Sequence, residues 1–193
     1  MVMDAGKLKY LLGLALVLLV GCSSMEMEPE TATSEHSDAL MHAVVANEDR
    51  EVLDLLTQGV DPDPKTAEGE TALMLASANG NRRIVRLLLA AGADVNGEDS
   101  AGYTAVIHAS ESGHLSVVRA LLAAGANVNV SQNGESLLMK VVGSGDLLTA
   151  EMLLAAGADV NYRSDDGRTA LDLARARNNR DLEMLLVHAG ATR

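Results

Sequence analysis

The sequence contains no phenylalanine and no tryptophan, and only three tyrosines, Tyr10, Tyr103 and Tyr162. A core without large rings has to be filled by Leu, Val, Ala and Met, which suits helices packed closely through small, repeated contacts. The single cysteine, Cys22, excludes any disulfide within the chain. Positive charge is scarce: 15 Lys and Arg against 27 Asp and Glu give a net charge of −12 at pH 7. With no basic run and no aromatic platform, nucleic acid is excluded as a partner, because the acidic surface repels phosphate backbones. No nucleophile elbow, phosphate loop or metalloprotease motif is present, so neither an enzyme nor a cofactor is expected.

Long hydrophobic runs are also missing. The apolar stretch Tyr10 to Val20 has eleven residues, about half of what a membrane-spanning helix needs. Lys7 and Lys9 precede it and small residues follow it, the pattern of a secretory signal peptide. Its end, Leu19-Val20-Gly21-Cys22, resembles the lipobox of bacterial lipoproteins. That resemblance implies a diacylglyceryl group, and a further acyl chain such as palmitate, on Cys22 after cleavage of residues 1–21. Two or more acyl chains make a stable membrane anchor. Ser23, where an inner-membrane signal would be Asp, implies the outer membrane and a periplasm-facing protein. Residues 22–35 are polar and acidic and contain Pro29, and are expected to form a disordered tether. Fourteen such residues separate their ends by roughly 20 Å, which keeps the folded part near the lipid.

From His36 onward the sequence repeats itself. Gly59, Gly92, Gly125, Gly157 and Gly190 recur at intervals of 33, 33, 32 and 33, and Gly69, Gly102, Gly134 and Gly167 lie 23 residues ahead of the last four. The text recurs with them: Gly92-Ala93-Asp94-Val95-Asn96, Gly125-Ala126-Asn127-Val128-Asn129 and Gly157-Ala158-Asp159-Val160-Asn161. So do Gly69-Glu70-Thr71-Ala72-Leu73, Gly102-Tyr103-Thr104-Ala105-Val106 and Gly167-Arg168-Thr169-Ala170-Leu171. Period and text together resemble the ankyrin repeat. The resemblance implies an all-α solenoid over residues 36–193, a helix pair and a projecting β-hairpin in each of about five repeats (36–65, 66–98, 99–131, 132–163 and 164–193).

The residues supply physical reasons for that shape. Thr71, Thr104, Ser136 and Thr169 stand where a hydroxyl caps a helix start. First helices such as Ala76-Ser77-Ala78 are small enough for close approach, and second helices carry a stripe such as Ile84-Val85 with Leu87-Leu88-Leu89. Met74, Met139, Met152 and Met184 follow the stripe into the expected core. Gly92, Gly125 and Gly157 end the second helices in the left-handed region. At the position where the family often has a hairpin-bracing histidine, this chain has Met74, Ile107, Met139 and Asp172, so that brace is expected to be lost. The residue missing from the 32-residue interval falls between Asn129 and Gly134 and is expected to bend one hairpin.

Asp61 and Asp63 flank Pro62, and Asp165-Asp166 precede Gly167; these read as turn formers, since neither pair offers the six or more oxygens that calcium takes. His42 and His108 share a repeat-equivalent position and His114 follows Gly113, so histidine spacing tracks the repeat and no metal is expected. Function is therefore expected on the surface that repetition creates. The resemblance implies a concave face of hairpin tips and first helices. That face would comprise Lys65, Glu68, Glu70 and Asn79; Glu98, Ser100, Tyr103, Glu111 and Ser112; Gln132, Asn133, Glu135 and Ser144; and Arg163, Asp165, Asp166, Arg168 and Arg177. Tyr103 is its central aromatic, the residue type that anchors interfaces. The expected role is a monomeric, membrane-anchored module that binds another protein, such as a toxin to be neutralised or an exported enzyme to be supported. The alternative is a structural envelope component that acts as a spacer or self-assembles.

Overall fold

The computed structural model describes residues 29–192, with side chains from residue 35. The expected signal peptide, the lipidation site Cys22 and most of the tether lie outside the described residues. Ten helices and one short hairpin make up the described part. They are α1 (Pro29–Val45), α2 (Asp49–Thr57), α3 (Ala72–Ala78), α4 (Arg82–Ala90), α5 (Ala105–Glu111), α6 (Leu115–Ala123), β1 (Ser131–Gln132), β2 (Glu135–Ser136), α7 (Leu137–Ser144), α8 (Leu147–Ala155), α9 (Ala170–Ala176) and α10 (Arg180–His188). The compact unit runs from Glu35 to Arg193. α1 begins earlier, at Pro29, inside the segment expected to be a tether. Proline loses nothing at a first helical position, where its missing N–H has no partner in any case.

Helices pair within each repeat and stack between repeats in two layers. α3, α5, α7 and α9 form one layer, and α2, α4, α6, α8 and α10 the other. The rows that hold the layers together follow the sequence period. Leu40, Leu73, Val106, Leu138 and Leu171 are all buried, as are Leu55, Leu88, Leu121, Leu153 and Leu186 in the second helices. Between them Ala43, Ala76, Ala109 and Ala174 let first helices approach, with Val141 in the one exception. Met74 and Met139 join this core, but Met184 does not: it is 55% exposed on α10, at the register of Leu53, Arg86, Arg119 and Glu151, which faces away from the core in every repeat.

Hydroxyl caps form at three of the four expected positions. Thr71, Ser136 and Thr169 accept from the N–H groups of Met74, Met139 and Asp172. Thr104 does not cap α5 with its side chain, because the Ile107 N–H bonds the Thr104 carbonyl instead; its hydroxyl is buried without a partner among the described residues. The brace expected to be lost survives in two repeats through other atoms. Met74 Sδ accepts from the Thr71 N–H at 3.3 Å, and an Asp172 carboxylate oxygen accepts from the Thr169 N–H at 2.9 Å. The Thr169 N–H and hydroxyl hold the Asp172 carboxyl below the usual carboxylate range.

The shortened repeat tightens its hairpin rather than bending it. In three repeats the closing pairs Thr66–Glu70, Asp99–Tyr103 and Ser164–Arg168 enclose three residues, the last being Gly69, Gly102 or Gly167 with positive φ. In the shortened repeat Gln132 pairs with Glu135 around Asn133-Gly134 alone. Both turn residues have positive φ, 52° and 75°, the geometry of the two-residue turn that matches strand twist.

A side-chain ladder clips each repeat to the next. The Asn96, Asn129 and Asn161 carbonyl oxygens accept from the N–H groups of Asn127, Asp159 and Thr192. Their amides donate to the carbonyls of Gly125, Gly157 and Gly190. The first rung is Asp63, which accepts from Asp94 N–H but has nothing to donate. Burial pushes its carboxyl pKa up. Since its folded pKa lies above its unfolded one, the site adds stability only as pH falls through the folded pKa, and ionisation removes that contribution at neutral pH. Asp63→Asn completes the ladder and should stabilise by about 0.5–1.5 kcal/mol at neutral pH. Thermal unfolding checks this, and the gain should shrink in mild acid, where Asp63 itself protonates.

Candidate functional site

One side chain of each first helix recurs at the same register and faces the inner layer: His42, Leu75, His108, Lys140 and Leu173. In the middle of the stack these side chains meet the hairpins. Tyr103 stands immediately before the Thr104 start of α5, half-buried, with its ring stacked on His108 at a centroid separation of 5.1 Å. Lys140 also lies over the ring, with Nζ 5.3 Å from its centroid. The same ammonium donates to Glu111 at 2.6 Å and to the buried Gln132 at 2.7 Å. The expected central aromatic is thus packed against His108 and the Lys140 ammonium, which fixes its orientation.

Beside this cluster a cavity of about 440 Å³ opens between α5, β2, α7 and α9. Glu111, Glu135, Ser144, Arg168 and Arg177, all expected on the face, line it. Its apolar floor comes from Leu137, Met139, Val141 and Leu173, and Lys140 stands in its wall. Gly143 makes room for it. The equivalent residue of α5 is Glu111, whereas a Cβ at Gly143 would meet nothing within 4 Å. Gly143 lies in the last turn of α7, and the missing side chain leaves open space on the inner face. The volume and the apolar lining with a few convergent charges fit a pocket that takes part of a ligand.

The remaining expected residues fall in three places. Glu70, just before α3, comes together with Asp99 and His108. Asn79 and Ser112 are the C-terminal caps of α3 and α5, both exposed. Glu98, Ser100, Asn133, Arg163 and Asp165 are exposed on the hairpins, as are Lys65, Glu68 and Asp166. Those hairpins are linked in series. Ser100 donates through both N–H and hydroxyl to the Glu68 carbonyl, and Gln132 donates to the Ala101 carbonyl at 3.4 Å. A Cβ on Gly134 would strike the Asp165 carboxylate.

The charge on the face is less segregated than the composition of its two ends implies. Glu111 is neutralised by Lys140, and Arg168 donates to Asp166. The Ser164 hydroxyl, with Arg168, holds the Asp166 carboxyl below the usual carboxylate range. Arg177 makes no ion pair among the described residues and projects at the cavity rim. Lys140, Asp99 and Gly143 were not anticipated from the sequence. The register that aligns Lys140 with His108, an interval of 32 residues, was the available signal. His114 works within the scaffold: its Nε2 lies 3.0 Å from the Ala78 carbonyl, and its ring packs so close to Gly80 that a Cβ there would come within 2.7 Å.

Among known proteins, a family model for ankyrin repeats in three copies matches residues 40–132. A second, for ankyrin repeats in many copies, matches residues 137–186. No curated protein matches the chain.

Proposed function

Because the chain belongs to the ankyrin-repeat family, whose stacks are protein-interaction modules and typically not enzymes, we propose that it binds one partner protein on its inner face as a membrane-anchored monomer. The observation that carries the reading is the cavity at Gly143. A helix that gives up a side chain there, beside a cavity lined by Glu111, Lys140, Arg168 and Arg177, offers a seat for a partner side chain. Rigid packing of Tyr103 next to that seat supports it, since ordered aromatics anchor interfaces at small entropic cost.

The anchor rests on Cys22. The Leu19-Val20-Gly21-Cys22 motif supports lipidation there, and Ser23 supports an outer-membrane, periplasm-facing position. No helix among the described residues is long and apolar enough to cross a membrane; the attachment proposed is through acyl chains on Cys22. The partner is a protein such as a secreted toxin or an exported enzyme that works beside the membrane.

The test is photo-crosslinking in cells from a reactive side chain placed at Ser144 in the groove, with Leu148 on the opposite layer as the control; Leu148 is 57% exposed. A discrete partner adduct is expected from Ser144 and not from Leu148, and Gly143→Met should abolish it by filling the cavity. In the same cells Cys22→Ser should remove acyl chains from the intact mass and release the processed protein from membranes. Equal adducts from both layers, or adducts only between copies of this chain, would replace the binding-module reading with the structural one.

A further inference from the structure

Three potential metal ligands from neighbouring repeats converge beside Tyr103. Glu70 precedes α3, Asp99 opens the following hairpin, and His108 lies on α5; one ligand atom from each comes within 4.8 Å of the other two. None of this follows from histidine spacing, because the three residues meet only when two repeats stack.

The cluster is oriented as well as close. Asp99 Oδ1 is occupied by the N–H groups of Ala101 and Tyr103, each at 2.8 Å, which leaves Oδ2 turned toward His108. The gap to His108 Nε2 is 3.9 Å, too long for a hydrogen bond. Nε2 itself is buried and has no hydrogen-bond partner among the described residues. The imidazole is 19% exposed and the Asp99 side chain 9%, and stacking on Tyr103 fixes the ring plane. A buried ring nitrogen without a partner, close to two carboxylates, is unfavourable unless something fills the gap.

We propose that Glu70, Asp99 and His108 bind a divalent transition-metal ion, with Zn²⁺ as the fitting case. Imidazole selects against magnesium and calcium, and one nitrogen with two carboxylate oxygens suits zinc. Zinc holds such atoms at about 2.0–2.2 Å, which places neighbouring tetrahedral ligands roughly 3.3 Å apart. The His108–Asp99 gap of 3.9 Å lies close to that spacing, and the partly exposed Glu70 is the arm with room to move in. Three protein ligands leave a fourth position toward solvent, open to water or to a donor atom of a partner. The backbone bonds to Asp99 Oδ1 act as the outer shell that holds a ligating carboxylate in place. An ion here would tie the second repeat to the third and bring positive charge to a face dominated by Glu70, Glu98 and Glu135.

The experiment is calorimetric titration of the chelator-treated full chain with zinc chloride alone, accompanied by thermal unfolding. One high-affinity equivalent is expected, with a rise in the unfolding temperature. His108→Ala and Asp99→Asn should each weaken binding at least tenfold and remove the thermal shift. Glu70→Gln, on the partly exposed arm and nearly isosteric, should also weaken binding with the metal-free unfolding temperature unchanged, which separates ligation from folding. Absence of zinc binding up to about 1 mM overturns the proposal. So does binding that is undiminished in Glu70→Gln and His108→Ala, which would place the ion on other side chains.

Discussion

Leu121→Ala should lower the stability of the repeat unit by about 2–5 kcal/mol. Leu121 is fully buried on α6, in the middle of the row formed by Leu55, Leu88, Leu121, Leu153 and Leu186. Removing its branch leaves a hole between three repeats, because α6 packs against both α4 and α8. The rigid Leu and Val walls collapse only partly into it, and the cavity adds to the lost transfer energy. Stacked repeats gain most of their stability from neighbour contacts, so the damage should pass in both directions. Urea unfolding measures the loss, and hydrogen exchange should report weaker protection in α4 and α8 as well as in α6. A loss below about 1 kcal/mol, or one confined to α6, would contradict a continuous core through the central repeat.

Tyr103→Ala should weaken partner binding by about 2 kcal/mol or more, roughly thirtyfold in Kd. Its ring is held by His108 and Lys140, so it meets a partner with little further ordering. Truncation removes the contact surface and also frees Lys140 from one of its supports. The effect should lie in dissociation, whereas Glu98→Gln and Glu135→Gln should slow association in a salt-dependent way. Glu111→Gln should behave differently from these two, because it releases Lys140 from an ion pair of 2.6 Å. Surface plasmon resonance with the captured partner distinguishes these outcomes. Unchanged kinetics in Tyr103→Ala and Glu135→Gln would move the interface to another surface.

Much of the array was legible in the one-dimensional text because its determinants are local and periodic. Gly59, Gly92, Gly125, Gly157 and Gly190 end helices with φ between 86° and 96°, a conformation that glycine alone adopts without strain. Thr71, Ser136 and Thr169 cap the helices that follow them, each through an amide three residues on. The expected surface residues were partly legible for the same reason: a position in the period places a residue on a hairpin or on a helix end. What such periodicity does not report is the partner across the repeat interface. The Thr104 hydroxyl, equivalent in sequence to Thr71, lacks its capping bond, and Met184 falls at a register that is exposed in every repeat, with Arg86, Arg119 and Glu151.

The sequence by itself determined the length of the repeat, the class of the fold, the rows of the core and the place where one hairpin is a residue shorter. Each depends on contacts within a repeat or on identical contacts copied from one repeat to the next. Only the tertiary structure decided that Lys140 meets Glu111 and covers Tyr103, that Gly143 opens a cavity, and that Glu70, Asp99 and His108 converge. Apart from Asp99 and His108, which lie in one repeat, those encounters join side chains about 30 to 40 positions apart that differ from repeat to repeat, so no period predicts them. Stacking sets their distances, and the distances set their chemistry.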